Sequence, residues 1–453
     1  MSAANGTHVE KGPIVPALMS FALPVLALQL MQELYNITDC MIVGHFGGDH
    51  ALAATGVAGL LLSILINFFV GFSSGISVVT SRLYGAYDYR ELNRTLNAVV
   101  RMVLLIGLGL SVLSACGADP ILRLLRSPDA VRPGAARYFR VCACGLAAQM
   151  LYNVGAAFLR SIGDTRTPLL FYSISVTCNL ALDIALVAVL HKGIVGAAAA
   201  TLCSQWLLAG MVLIYLARLK GGLALRPFGD GLTLNELGRV VGIGLPAGLQ
   251  ALFMSVSSLL IQVNINGFGP DAIAGMTLFA KLEGCLYLPA FAYGIALTSF
   301  VGQNLGAGRL DRVRSALRLS VGTMAGVILP LSLALSAASP WLLKLFTREP
   351  AILFNAHEAV IWTLPFYVVY AINQVYLGTI KGLGDTAYPM FATLICYSLF
   401  RVLWCRLLIP RFPTMRVVYL SYVVSFFLML LLLLPRYRAA VARSATAPPE
   451  RRE

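Results

Sequence analysis

The run LQLMQELYNITDCMIVG, from Leu28 to Gly44, sets carboxylates and amides inside an apolar stretch. That stretch begins near Ile14, contains Pro24, and is long enough to cross a membrane as a helix. Gln32, Asn36 and Asp39 fall at i, i+4 and i+7 and share one helical face, which Gln29 extends by about one turn. Glu33 lies roughly 120° away from Asp39 around the helix. A carboxylate at membrane depth costs a few kcal/mol or more. It survives by facing a water-filled cavity, pairing with a cation or holding a proton. Such residues mark ion or substrate paths; the plainer alternative is that Asp39 satisfies backbone groups beside a kink.

The surrounding chain must hold this run in lipid. Of 453 residues, 58% are hydrophobic and only 12% charged, against about a quarter charged in soluble domains. Lipid admits only helices or closed barrels, and the apolar runs are too long for barrel strands. The fold class is therefore an all-α integral membrane protein. Twelve transmembrane helices are predicted over 14–44, 51–80, 92–117, 131–160, 167–191, 194–218, 238–267, 271–300, 313–340, 351–380, 385–410 and 416–436.

The net charge of +14 comes from basic loops and a basic C-terminal tail, which suits an anionic lipid surface and not nucleic acid. Met1 to Gly12 is polar and lacks a signal-peptide pattern, so the first span is expected to act as its own insertion signal. Nine cysteines, an odd number without Cys-x-x-Cys spacing, read as small packing residues and not disulfides. There is no G-x-x-x-x-G-K-[ST] loop for ATP, and His8, His45, His50, His191 and His357 have no zinc spacing. An enzyme is not indicated, and no cofactor is expected. The sequons at Asn5, Asn36 and Asn93 carry little weight, since Asn36 lies inside a span.

The chain repeats itself. Gly163-Asp164-Thr165-x-x-Pro168 recurs as Gly384-Asp385-Thr386-x-x-Pro389, and Gly85-Ala86 as Gly306-Ala307. Leu23-Pro24 recurs as Leu245-Pro246, and Phe46-Gly47-x-Asp49 as Phe268-Gly269-x-Asp271. Four matches in register make the chain two copies of a six-helix unit, two pseudo-symmetric bundles related by an axis along the membrane normal. The expected domains are residues 1–222, residues 223–437, and a disordered, basic cytoplasmic tail over 438–453. The glycine-rich connection from Arg218 to Arg239 reads as the linker. Asp164 and Asp385 are expected as caps or turn formers. Arg82, Arg90, Arg94 and Arg101 follow span 2, and Arg309, Arg312, Arg314 and Arg318 follow span 8. Both termini are therefore expected in the cytoplasm; arginines near 123–140 and 401–416 weaken that asymmetry without reversing it.

The repeat is also an internal control. Asp39, Asn179 and Asp183 map onto Ile261, Phe400 and Trp404. Asn179 and Asp183 share a helical face, and with Asp39 they are predicted to form one cation site in the N-terminal bundle. Thr201 is a further oxygen donor to it. Two carboxylates close together cannot both stay ionised without a cation, so Na⁺, held by Asp39 and Asp183 as metal ligands, and a shared proton both fit; a buried structural network is the alternative. Conversely, Lys281 and Glu283 map onto Leu60 and Leu62, and Arg401 onto Leu180. Substrate contact or lobe coupling by Gln32, Glu33, Asn36, Glu283, Arg401 and Tyr370 is one reading. An ion pair of Glu283 with Arg401 or Lys281 is the other.

These residues resemble the multidrug and toxic compound extrusion family over nearly the whole chain. The resemblance rests on Tyr35-Asn36-x-x-Asp39-x-x-x-Val43-Gly44, on Lys281-Leu282-Glu283 with Pro289-Ala290-Phe291, on Val301-Gly302-Gln303-Asn304-Leu305-Gly306-Ala307-Gly308, and on the doubled Gly-Asp-Thr-x-x-Pro. It implies an exporter of organic cations or amphipathic compounds, driven by exchange for Na⁺ or H⁺ in alternating access. It implies a multi-pass protein of the cell (inner) membrane, monomeric, with small-molecule substrates and membrane lipids as partners. Asp39, Asn179, Asp183 and Thr201 match the cation site of DinF-like members. NorM-like members use acids in spans 7 and 10, where this chain has Met254 and Tyr370. That departure favours coupling in the N-terminal half; Glu33 is a further departure from the family pattern. A flippase for a lipid-linked sugar is the alternative within the superfamily, and an uncoupled receptor or channel the one outside it.

Overall fold

The computed structural model describes residues 9, 11–46, 51–124, 129, 131–220, 222–226 and 234–446. Those residues are almost entirely helical: α1 Ile14–Phe46, α2 Ala51–Gly85, α3 Tyr89–Leu124, α4 Arg132–Ala143, α5 Leu146–Ser161, α6 Arg166–Asp183 and α7 Gly193–Ala217, then α8 Leu234–Asn266, α9 Pro270–Gly306, α10 Leu310–Leu342, α11 Pro350–Thr363, α12 Tyr367–Gly382, α13 Ala387–Thr393, α14 Phe400–Leu408 and α15 Met415–Thr446. Eleven helical stretches are long and apolar enough to cross a membrane, and the bent pair α4–α5 makes a twelfth. Side chains such as Leu113 and Val263 lie open on the helix surfaces, as a bilayer-facing surface requires.

Four expected spans are interrupted helices, and the one at 351–380 tightens to a 3₁₀ turn at Leu364–Phe366 between α11 and α12. The span at 131–160 bends by 45° between α4 and α5. At that break Gly145 lets Gln205 of α7 come so near that a Cβ would lie 1.8 Å from its Oε1. Six-residue π segments interrupt the other two, Ile184–Val189 directly after Asp183 and Leu394–Leu399 just before Arg401. Such segments gather at functional sites.

The chain divides into two compact units. Ala27–Gly244 forms the N-terminal unit; Val9–Leu26 joins the chain from Leu245 onward in the C-terminal unit. The division therefore falls inside α1 and α8, beside Pro24 and Pro246, and not in the linker at 222/223. Proline removes one rung of the helix ladder, and both helices change unit there. A second difference concerns the tail expected to be disordered from 438. Helix α15 continues to Thr446, because Ala440 and Val441 are buried in the C-terminal core and alanine favours helix. The rest of that tail lies outside the described residues.

In the N-terminal unit Leu96, Val99, Leu151, Phe158 and Val212 anchor the core. In the C-terminal unit Leu286, Tyr293, Phe300, Ala371 and Met429 do so. Small residues bring helices close. Gly378 of α12 sits so near α9 that a Cβ would lie 2.4 Å from the Gly294 carbonyl oxygen. All nine cysteines are free; Cys142, Cys396 and Cys405 are buried, and the others are partly or fully exposed. The two Gly-Asp-Thr turns close helices in the same way. Gly163 and Gly384 take φ of 91° and 89°, the left-handed geometry that ends a helix at least cost with glycine. Asp164 and Asp385 then accept the N–H of Thr167 and Tyr388 at 3.0 and 3.2 Å, capping α6 and α13.

Candidate cation site in the N-terminal unit

Four helical segments of one unit supply this site: α1, α4, α6 and α7. On α6, Asn179 and Asp183 are one turn apart and 2% and 1% exposed. In the orientation that pairs both ends of its amide, Asn179 donates to Asp183 Oδ2 at 2.8 Å and accepts from the Thr201 N–H at 3.3 Å. Thr201 Oγ1 lies 3.3 Å from the hydroxyl of Tyr35 on α1. One turn further along α1, Asp39 is near enough for its charge to act on Asp183 and on Tyr138 of α4.

The predicted quartet Asp39, Asn179, Asp183 and Thr201 is thus brought together. Tyr35, which the sequence offered only as part of the motif around Asp39 and not as a member of the site, joins it; its i, i+4 spacing to Asp39 was the visible signal. Gln32, Glu33 and Asn36 stay outside the network; none has a hydrogen bond among the described residues, and Asn36 and Glu33 are exposed. Glu33 acts electrostatically on Tyr172 of α6.

Asp39 Oδ1 and Asp183 Oδ1 are both shielded and have no hydrogen-bond partner among the described residues. Buried carboxylate oxygens without donors are costly in protein or lipid. A small cation or a proton is what such acceptors bind. Among the described residues no group of three or more His, Cys, Asp or Glu gathers for a transition metal, so the site is an oxygen site of two carboxylates, an amide and hydroxyls. The π segment after Asp183 shifts the next rungs, with Leu190 N–H bonding to Ala185 O at 2.9 Å.

A different cluster occupies the C-terminal unit. Glu283 accepts the Tyr367 hydroxyl at 2.5 Å. Arg401 donates to Ser425 Oγ at 2.8 Å, and its guanidinium stacks over Tyr422, Tyr397 and Phe426 at 4.2, 4.7 and 5.5 Å. Neither alternative ion pair of Glu283, with Arg401 or Lys281, forms; Arg401 is satisfied by rings instead, and Lys281 is exposed. Tyr370 is buried, accepts from Gln374 Nε2 at 2.7 Å and stacks on Tyr287. Trp404, the counterpart of Asp183, bonds the Val417 carbonyl at 3.0 Å. The two halves have thus specialised in different chemistry.

A duplicated helical membrane protein with buried carboxylates in one half has the build of a secondary transporter. The MatE family model matches twice, over residues 24–185 and 246–407, and the chain belongs to this multidrug and toxic compound extrusion family, whose members are transporters and not enzymes. It is 26% identical over 393 residues to the probable multidrug resistance protein YpnP of Bacillus subtilis, covering 86% of this chain and 87% of that one. A FAD transporter of Shewanella oneidensis is 27% identical over 347 residues, covering 75% and 76%. Among solved structures, an outward-facing multidrug resistance MATE transporter superposes with a TM-score of 0.90 at 20% identity, covering 99% of this chain and all of that one. A transporter of the MOP superfamily from Pyrococcus furiosus gives 0.89 at 21% identity, with 99% and 100% covered.

Proposed function

We propose that the protein is a secondary antiporter that exports organic cations or amphipathic compounds in exchange for Na⁺ or H⁺. The coupling cation binds at Asp39, Asn179, Asp183 and Thr201, with Tyr35 closing the site. The observation that carries this reading is the pair of shielded, donor-free oxygens on Asp39 and Asp183, next to an amide already committed to Asp183. Coupling requires that the cation bind the inward and outward states with different affinity, and α1, which carries Asp39, belongs to both units. The protein works as a monomer in the cell (inner) membrane, with both termini in the cytoplasm. A lipid-linked pyrophosphate is a poorer cargo, because Arg401 is enclosed by three rings and Ser425.

Reconstitution in vesicles tests this. Efflux of a fluorescent organic cation should follow an imposed Na⁺ or proton gradient. Efflux that responds to neither would overturn the proposal, and stimulation by only one names the ion.

A further inference from the structure

The repeat exposes a second difference between the halves, at the end of each bundle that carries the Gly-Asp-Thr turn. In the N-terminal unit, Asn93 and Asn97 on α3 hold the chain that follows α7. Asn93 Nδ2 donates to the Ala224 carbonyl at 2.7 Å, and the Arg226 N–H donates to Asn97 Oδ1 at 2.7 Å. That segment turns back through Gly222, at φ 82°, and buries Leu223 and Leu225. The groove beside α3 is therefore filled by the chain itself, through neutral peptide groups.

The counterparts of Asn93 and Asn97, 221 positions on as Gly306-Ala307 follows Gly85-Ala86, are Arg314 and Arg318 on α10. Among the described residues no segment turns back here, where α15 continues as helix to Thr446. Arg314 and Arg318 are exposed, one turn apart, and both act on Tyr437 of α15. Tyr437 meets Tyr376 of α12 edge-on at 5.7 Å between centroids, and Arg438 acts on Tyr376. The side chains of Arg314, Arg318 and Arg438 have no hydrogen bond or ion pair among the described residues. The nearby acids are already taken: Asp385 by Arg436 and Asp311 by Arg309. One to three turns deeper, Leu319 and Val327 on α10 and Leu431 and Phe427 on α15 are exposed apolar side chains.

We propose that this face of the C-terminal unit, between α10 and α15, binds the headgroup of an anionic phospholipid. The phosphate sits among Arg314, Arg318 and Arg438, and the acyl chains run along the exposed leucines and Phe427. Basic clusters at the membrane surface bind anionic lipid in this way, and the apolar side chains below select a lipid over a soluble anion.

The test is native mass spectrometry of the full-length protein in detergent, with phosphatidylglycerol and phosphatidylcholine of identical chains. The wild type should bind phosphatidylglycerol in preference. The double variant Arg314→Asn/Arg318→Asn, which restores the N-terminal pattern, should bind it about 30-fold more weakly, two cations each giving a factor of about five. Arg314→Lys/Arg318→Lys should keep the preference. Retained circular dichroism, together with the single variant Arg438→Gln, separates lost binding from misfolding. Equal binding of the two lipids, unchanged binding by the asparagine variant, or equal competition by inorganic phosphate would each overturn the proposal.

Discussion

Asp385 and Arg436 form an ion pair at 2.5 Å, at the place where Asp164 in the other repeat accepts the Tyr215 hydroxyl, at 3.1 Å. In both units the partner lies 51 residues further on, on the last helix of its bundle. One acid caps a helix start and ties it to the closing helix, by charge in one half and by a neutral bond in the other. Arg436 also covers the Tyr388 ring at 4.8 Å, and both ion-pair partners are largely sheltered. Arg436→Ala should therefore cost about 3 kcal/mol, the usual loss when one partner of a sheltered pair is removed. Tyr215→Phe should cost about 1 kcal/mol. Unfolding of the purified variants in detergent checks the ratio; equal losses would mean that the charge of Arg436 adds nothing.

Loss of either carboxylate of the cation site should separate transport from stability. Asp39→Asn and Asp183→Asn each replace a charged oxygen ligand with a neutral one, worth roughly 1.5–3 kcal/mol. Ion affinity should fall about 10- to 150-fold and gradient-driven efflux with it. Neither Oδ1 has a donor to lose, so the melting temperature should hold or rise. Normal coupled efflux by both variants would remove these residues from the mechanism.

The hydroxyl side of the site should matter less. Tyr35 and Thr201 meet at 3.3 Å, a long neutral bond of about 0.5–1.5 kcal/mol. Tyr35→Phe should raise the ion concentration for half-maximal efflux by about 2- to 12-fold. Thr201→Ser, which keeps the hydroxyl, should stay near wild type, whereas Thr201→Ala should resemble Tyr35→Phe. A serine variant as poor as the alanine one would trace the effect to packing around Thr201.

Much of this was legible before any coordinates. The length of the apolar runs gave the helices, and the repeat gave two units and pointed to Asp39, Asn179 and Asp183 as polar where their counterparts are apolar. What sequence could not place was where a helix changes owner. Pro24 and Pro246 were visible as kinks, yet nothing local says that Val9–Leu26 belongs with the second unit. The fate of Glu283 was equally hidden. Its choice of the Tyr367 hydroxyl over a cation depends on Arg401 being enclosed by rings from α15 and from the π segment before it. Spacing alone also did not tell which polar residues of α1 would join the network: Asn36 shares a helical face with Asp39, yet it is exposed and outside the hydrogen bonds around that acid.

A close helix crossing in the C-terminal unit gives the last prediction. Thr298 Oγ1 lies 3.0 Å from the Gly294 carbonyl of its own helix and 3.2 Å from the Gly378 carbonyl across on α12. A methyl group on Gly378 would meet the Gly294 backbone at 2.4 Å, and backbone cannot swing aside as a side chain can. Gly378→Ala should therefore push α9 and α12 apart and cost about 1–3 kcal/mol. Gly322→Ala on α10, where the added methyl meets nothing within 4 Å, should be neutral or stabilising by up to about 1 kcal/mol. Thermal unfolding of the two variants side by side decides this. If Gly378→Ala unfolds no earlier than Gly322→Ala, close backbone approach does not hold these helices together.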